Sequence, residues 1–159
     1  MPLFQTADLI DQYPECASCT TQFHQFGRIA EFCGRIRTVK CYDDNVLVRR
    51  TLETLSKGEV LVVDGAGYLG SALLGDQIAA LAIANGWAGV IINGAVRDSV
   101  ALCAMDLGLK ALGRNPKKSG KNGVGKCDVP VAFGGVTFNP GTWVYSDEDG
   151  ILVAPRRLL

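Results

Sequence analysis

Between Val60 and Asp98 the sequence leaves the chain little freedom. An apolar run of strand character, Val60-Leu61-Val62-Val63, is followed by a glycine-rich turn, Asp64-Gly65-Ala66-Gly67-Tyr68-Leu69-Gly70. Gly75-Asp76 then opens an apolar helical run from Gln77 to Asn85, and a second apolar strand, Gly89-Val90-Ile91-Ile92, leads on to Gly94-Ala95-Val96-Arg97-Asp98. Strands that are apolar on both faces belong in the interior of a sheet and pair in parallel. Asp76, Arg97 and Asp98 therefore stand beside glycines at the ends of apolar elements, where proteins of helices and sheet place their ligands.

The 159 residues are 48% hydrophobic and 20% charged, an ordinary globular composition, and read as one domain, 1–159, with material for a substantial core. Lysine plus arginine and aspartate plus glutamate both number 16, so the formal net charge is zero. General affinity for nucleic acid needs a basic excess, and no direct nucleic-acid binding is expected. The start, Met1 to Asp8, lacks a basic region followed by an apolar core and does not read as a signal peptide. The longest apolar run, Ile78 to Ala84, falls short of the roughly 18 residues of a membrane span, so a cytoplasmic protein without membrane contact is expected. Of the six cysteines only Cys16 and Cys19 have ligand spacing, and no second pair completes a zinc site; free thiols are the reading. The single histidine, His24, reads as a surface or packing residue.

Along the rest of the chain, Thr6 to Gln12 has the pattern of a short helix with Thr6 or Asp8 as its cap. Ile29 to Tyr42 alternates as a strand, with Cys33, Arg35, Arg37, Val39 and Cys41 on one face. Asp43-Asp44-Asn45 is a turn that can cap a helix from Val46 to Leu55, in which Leu47, Thr51 and Leu55 stack and Gly58 takes the left-handed position at the end. Ser99 to Met105 reads as a helical turn or two and Leu107 to Leu112 as a short strand. Arg114 to Lys126 is basic throughout, with no acidic or aromatic residue, and reads as a mobile solvated loop rather than an RNA or partner surface. Short strands follow at 129–133, 136–138, 142–145 and 151–153, separated by Asn139-Pro140-Gly141 and Glu148-Asp149-Gly150 turns. The class is α/β, mixed sheet with packed helices.

Gly65-Ala66-Gly67-Tyr68-Leu69-Gly70 matches the dinucleotide fingerprint G-x-G-x-x-G. Gly75 interrupts the helix that should follow, and Asn93 stands where an acidic residue should hold a ribose. The glycines read instead as a tight crossover that passes backbone close to a small ligand. Asp76 taken alone is equally a helix N-cap, and Arg97-Asp98 taken alone is equally a surface pair.

Taken together, Asp76, twenty intervening residues and Arg97-Asp98 form a D-x20-R-D signature. With Leu61-Val62-Val63-Asp64-Gly65, Ala72-Leu73-Leu74-Gly75-Asp76, Gly134-Gly135-Val136 and Asp147-Glu148-Asp149-Gly150, it makes the chain resemble the regulator of ribonuclease activity A family. Within that family it is most similar to the short 4-hydroxy-4-methyl-2-oxoglutarate aldolases, which also decarboxylate oxaloacetate. The resemblance implies a swivelling β/β/α domain of the phosphohistidine-domain type, assembled as a homotrimer or dimer of trimers. It implies that Asp98 binds a divalent cation, Mg or Mn, and that the backbone of Gly75, Asp76, Gln77 and Ile78 binds the carboxylate of a small 2-oxo acid. Arg97 is implied to contact the 2-oxo group, and the Asp76 side chain to orient a water of the metal. The helix N-terminus suits a carboxylate on physical grounds as well. The acid that protonates the enolate product has no assignment; Tyr68 and Cys103 are open alternatives beside water. The family equally implies an alternative, a non-catalytic regulator that binds an RNA-degrading endoribonuclease, although members with that role tend to lack the metal-binding aspartate.

Overall fold

In the computed structural model, which describes residues 3–159, the unit from Val60 to Asp98 forms the middle of a ten-stranded mixed sheet. In chain order the elements are α1 (Thr6–Gln12), β1 (Ala17–Ser18), β2 (His24–Gln25), β3 (Phe32–Lys40), α2 (Val46–Leu52), β4 (Val60–Asp64), β5 (Ala72–Leu74) and α3 (Asp76–Ala84), followed by β6 (Gly89–Val96), α4 (Ser99–Leu102), β7 (Gly108–Arg114), β8 (Lys126–Cys127), β9 (Val131–Phe133), β10 (Val136–Phe138), β11 (Trp143–Ser146) and β12 (Ile151–Ala154). Met1 and Pro2, the first residues of the stretch weighed as a signal peptide, lie outside the described residues.

β3, β4, β6 and β7 are neighbours in that order and run parallel, with β4 and β6, apolar on both faces, in the interior as expected. Successive side chains point to opposite faces. Ile36, Val60, Val62 and Ile91 pack on one side beneath Val131, Val136 and Phe138 of the antiparallel β9–β10 pair. Leu61, Val63, Val90 and Ile92 pack on the other against Val48 and Leu52 of α2 and Ile78, Ala79 and Ala82 of α3. The layers run small sheet, large sheet, helices, which is the β/β/α order expected. No described helix is long and apolar enough to cross a membrane.

Several local expectations give way to longer-range partners. α1 has the expected bounds, but neither Thr6 nor Asp8 caps it. Asp147, after β11, accepts the Thr6 N–H at 2.7 Å and its hydroxyl at 2.6 Å. A buried carboxylate is a stronger partner for helix N-terminal donors than a hydroxyl of the same turn. Burial works to raise the Asp147 pKa. The bonds from Thr6 and from the N–H groups of Asp149 and Gly150 outweigh it and hold the carboxyl below its ordinary value. α2 stops at Leu52, because the Thr51 and Thr54 hydroxyls bond to the carbonyls of Leu47 and Thr51 at its end. Leu55 is thus 85% exposed instead of stacked, and Gly58, left-handed as expected at φ +80°, sits in the loop beyond. α4 is likewise shorter than expected, and β6 continues past Ile92 to Val96 through an irregular register.

Candidate active site

The site is assembled from residues just beyond the C-terminal ends of parallel strands. β5, α3 and β6 form a crossover in which β6 returns parallel to β5, with Leu74 opposite Val96. The two strands therefore release their next residues side by side, and the Arg97 N–H donates to the Leu74 carbonyl at 3.0 Å. That topology brings Gly75-Asp76 against Arg97-Asp98 despite the twenty residues between them. β7 ends at the same edge, where the Asn115 N–H donates to the Val96 carbonyl.

Gly75 has extended backbone, φ −131° and ψ −165°, that any residue adopts. Its requirement is space: a Cβ there would lie 2.5 Å from Asp98 Oδ2 and 3.3 Å from Arg97 Cγ. Asp98 itself is left-handed, φ 59° and ψ 41°, a conformation that aspartate tolerates better than most residues and that costs free energy at functional turns. Its Oδ2 accepts the Asp76 N–H at 3.1 Å, while Oδ1 has no hydrogen bond among the described residues. The N–H groups of Gln77 and Ile78 likewise meet no acceptor there, whereas that of Asp76 is taken by Asp98.

Gly75, Asp76, Gln77, Ile78, Arg97 and Asp98, all six expected site residues, line one cavity of about 460 Å³. Four further side chains that sequence reasoning missed, Asn45, Arg49, Lys118 and Lys121, line the same cavity. The basic stretch after Arg114 is therefore not only a solvated loop: it folds back over the site. The Ala72 N–H donates to the Lys117 carbonyl at 2.7 Å, and buried Asp44 accepts the N–H groups of Asn122 at 2.7 Å and Val124 at 3.4 Å. The available signal was its place after β7, at the edge that carries the other site residues. Arg49, Arg97, Lys118 and Lys121 face only Asp76 and Asp98, a formal excess of two positive charges in the lining. Lys121 is exposed, yet partial desolvation against the protein, then Lys118, Arg97 and Arg49, lower its pKa, with Asp44 opposing.

Neither of the suggested proton donors lines the cavity. Tyr68 packs on Tyr42 with ring centroids 4.9 Å apart, and Cys103 borders a separate hollow with His24 and Arg114. The glycine-rich turn is also spoken for. Gly65 and Gly67 donate their N–H groups to the Asn93 carbonyl at 3.0 and 3.1 Å, and a Cβ on Gly65 would lie 2.9 Å from that oxygen. The close approach these glycines permit is to the protein's own backbone, not to a ligand, and the amides that would cradle a pyrophosphate are occupied.

Among the described residues no three His, Cys, Asp or Glu side chains gather as a ligand set. A cation at Asp98 would keep most of its ligands as water and substrate oxygens, a donor set that fits Mg or Mn and not a closed zinc site.

A family model described as RraA-like, Aldolase/RraA, matches residues 6–153. The chain belongs to the RraA-like family. Its fold is shared with a structure described as an S-adenosylmethionine:2-dimethylmenaquinone methyltransferase from Geobacillus kaustophilus HTA426, 49% identical with a TM-score of 0.96 over 98% of this chain and 97% of that one. It is also shared with the RNA-processing inhibitor RraA from Thermus thermophilis, 46% identical with a TM-score of 0.95 over 98% and 95%. Streptomyces coelicolor RraAS2, an unusual member of the RNase ES inhibitor RraA protein family, is 26% identical with a TM-score of 0.76 over 94% and 78%. The RraA-like family thus spans descriptions of an enzyme and of an inhibitor on one fold.

Proposed function

We propose that this RraA-like protein is a divalent-metal-dependent lyase. It cleaves 4-hydroxy-4-methyl-2-oxoglutarate to pyruvate and decarboxylates oxaloacetate, both through the enolate of pyruvate. The observation that carries the reading is the convergence of Asp76, Arg97 and Asp98 on one cavity at a helix N-terminus.

Both reactions break a carbon–carbon bond and leave the electron pair on a carbon next to the 2-oxo group, so the charge develops largely on the 2-oxo oxygen. Asp98 would hold Mg or Mn through its open oxygen, and when bound that ion supplies Lewis acidity towards the 2-oxo acid. Arg97 sets a guanidinium in the same cavity, where it stabilises the enolate oxygen more than the ground-state carbonyl. The unfilled N–H groups of Gln77 and Ile78, at the positive end of α3, receive the substrate's 1-carboxylate and fix its orientation. The Asp76 carboxylate, exposed beside them, positions the water that exchanges a proton with the enolate carbon. Lys118 and Lys121 line the cavity, but the reading gives the activation to the cation and Arg97 and involves no Schiff base. The unpaired state of the six cysteines supports a cytoplasmic setting. Assembly as a homotrimer or dimer of trimers belongs to this reading through the family resemblance alone. The test is a panel of 4-hydroxy-2-oxo acids and oxaloacetate with Mg, Mn or chelator: pyruvate forms with metal and stops with chelator, and a panel without metal-dependent pyruvate contradicts the reading.

The likeness to the Thermus inhibitor favours a second reading, a protein regulator that binds an endoribonuclease. It predicts inhibition of RNA cleavage at stoichiometric protein, retained in Asp98→Asn protein because no cation is involved. Cleavage unaffected by excess protein removes it.

A further inference from the structure

We infer that Arg49, Lys118 and Lys121 form a second anion subsite, which receives the carboxylate at the far end of a dicarboxylic 2-oxo acid, with Lys121 as its specificity-determining residue. The inference rests on the lyase reading for the position of the near end and adds the group that reads the other.

The reacting end of a 2-oxo acid is accounted for by α3, Arg97 and Asp98. A monocarboxylate held there would leave three further cations of the same lining, Arg49, Lys118 and Lys121, without an anion of the substrate to meet. Of these, Lys118 and Lys121 have no ion-pair partner among the described residues, while Arg49 is paired with Glu53 on the exposed face of α2. The three side chains are exposed, so solvent screens their mutual repulsion, and an anion that enters meets an excess of positive charge with few competing carboxylates.

Lys121 is held in place by its neighbours. Its Nζ donates to Asn45 Oδ1 at 2.7 Å. The buried Asn45 amide is fixed in turn, because its Nδ2 donates to the Leu73 carbonyl at 3.1 Å, one residue before the strand end that leads into Gly75. The backbone on either side is pinned as well. The Gly120 N–H donates to the Asp43 carbonyl at 2.9 Å, the Asn45 N–H donates to the Gly120 carbonyl at 3.3 Å, and Asp44 takes the amides of Asn122 and Val124. One ammonium proton is spent on Asn45, and two remain for a carboxylate. The network ties Lys121 through Asn45 to β5, the strand that leads into Gly75 and Asp76, so the two anion sites keep a fixed relation.

The test compares 2-oxoglutarate with 2-oxobutyrate, which lacks the second carboxylate, by calorimetry with Mg present, alongside oxaloacetate turnover. Wild-type protein should prefer 2-oxoglutarate by about ten-fold or more. Lys121→Met should abolish that preference while leaving 2-oxobutyrate affinity unchanged, Lys118→Met should reduce it, and Lys121→Arg should retain it. Equal weakening of both ligands in the methionine variants, or no preference in the wild type, overturns the inference. Discrimination without oxaloacetate turnover sinks the lyase reading and leaves the subsite standing. Turnover with an oxaloacetate KM unmoved by either methionine variant does the reverse.

Discussion

The backbone N–H of Asp76 donates to Oδ2 of Asp98 over 3.1 Å, joining residues 22 positions apart. The bond draws the left-handed Asp98 turn against the first turn of α3 and leaves Oδ1 without a hydrogen bond among the described residues. The site is thus a consequence of two parallel strands ending together, and its weak points come from that geometry.

Gly75 is one of them. Its backbone is ordinary, so Gly75→Ala should fold, yet the new methyl would meet Asp98 Oδ2 at 2.5 Å. Displacement of the carboxylate by a fraction of an ångström to an ångström should lower kcat/KM for oxaloacetate by about 100-fold. Steady-state kinetics beside a melting curve checks this; a normal kcat/KM would show that Asp98 need not sit where it does.

Asp98→Asn separates charge from shape. Asparagine tolerates the left-handed conformation and can accept the Asp76 N–H as aspartate does. The melting temperature should move by less than about 2 °C. Mn binding, followed by its paramagnetic effect on water relaxation, should fall by at least about ten-fold. Unchanged Mn affinity would place the cation elsewhere.

Asp147 couples stability to acid. Its folded carboxyl lies below the ordinary carboxylate range, so its contribution is complete above about pH 4 and is lost as pH falls through the folded value. Asp147→Asn should cost about 2 kcal/mol at pH 7 and flatten the decline of stability below pH 4. Urea melts at pH 7 and pH 3 measure both; an equal loss at the two pH values would assign the effect to packing alone.

The basic loop depends on Asp44, whose burial raises its pKa less than the N–H groups of Val46, Val124, Asn122 and Gly123 lower it. Asp44→Ala removes those acceptors, and trypsin cleavage after Lys121 should accelerate by about ten-fold or more as the loop opens. Cleavage at the wild-type rate would mean that the loop is held by other contacts.

What the sequence made legible was whatever a few neighbouring residues decide. β4, α3 and β6 arise from two-sided apolar strands and a helix between them, and the D-x20-R-D spacing led to residues that do share a cavity. β5 escaped notice, because three residues between Gly70-Ser71 and Gly75 carry no period; its pairing with β6 makes it a strand. The Asp147 cap on α1 and the closure of the basic loop on Asp44 and Asn45 join residues 76 or more positions apart, a distance no local pattern reports. The glycine-rich turn, read as a crossover passing close to a small ligand and not as a phosphate cradle, makes that close approach to the Asn93 carbonyl of β6, another partner that no local pattern reports.

The most direct test of a cation-assisted enolate at this site is Mg-dependent conversion of oxaloacetate to pyruvate by Arg97→Ala protein, corrected for the rate with metal alone. Arg97 is half-buried and unpaired among the described residues, so the variant should fold. With Arg97 on the oxygen that gains charge, wild-type protein turns over and the variant falls by about 100- to 1,000-fold in kcat. Turnover by folded Arg97→Ala protein at the wild-type rate would contradict an enolate stabilised by this guanidinium.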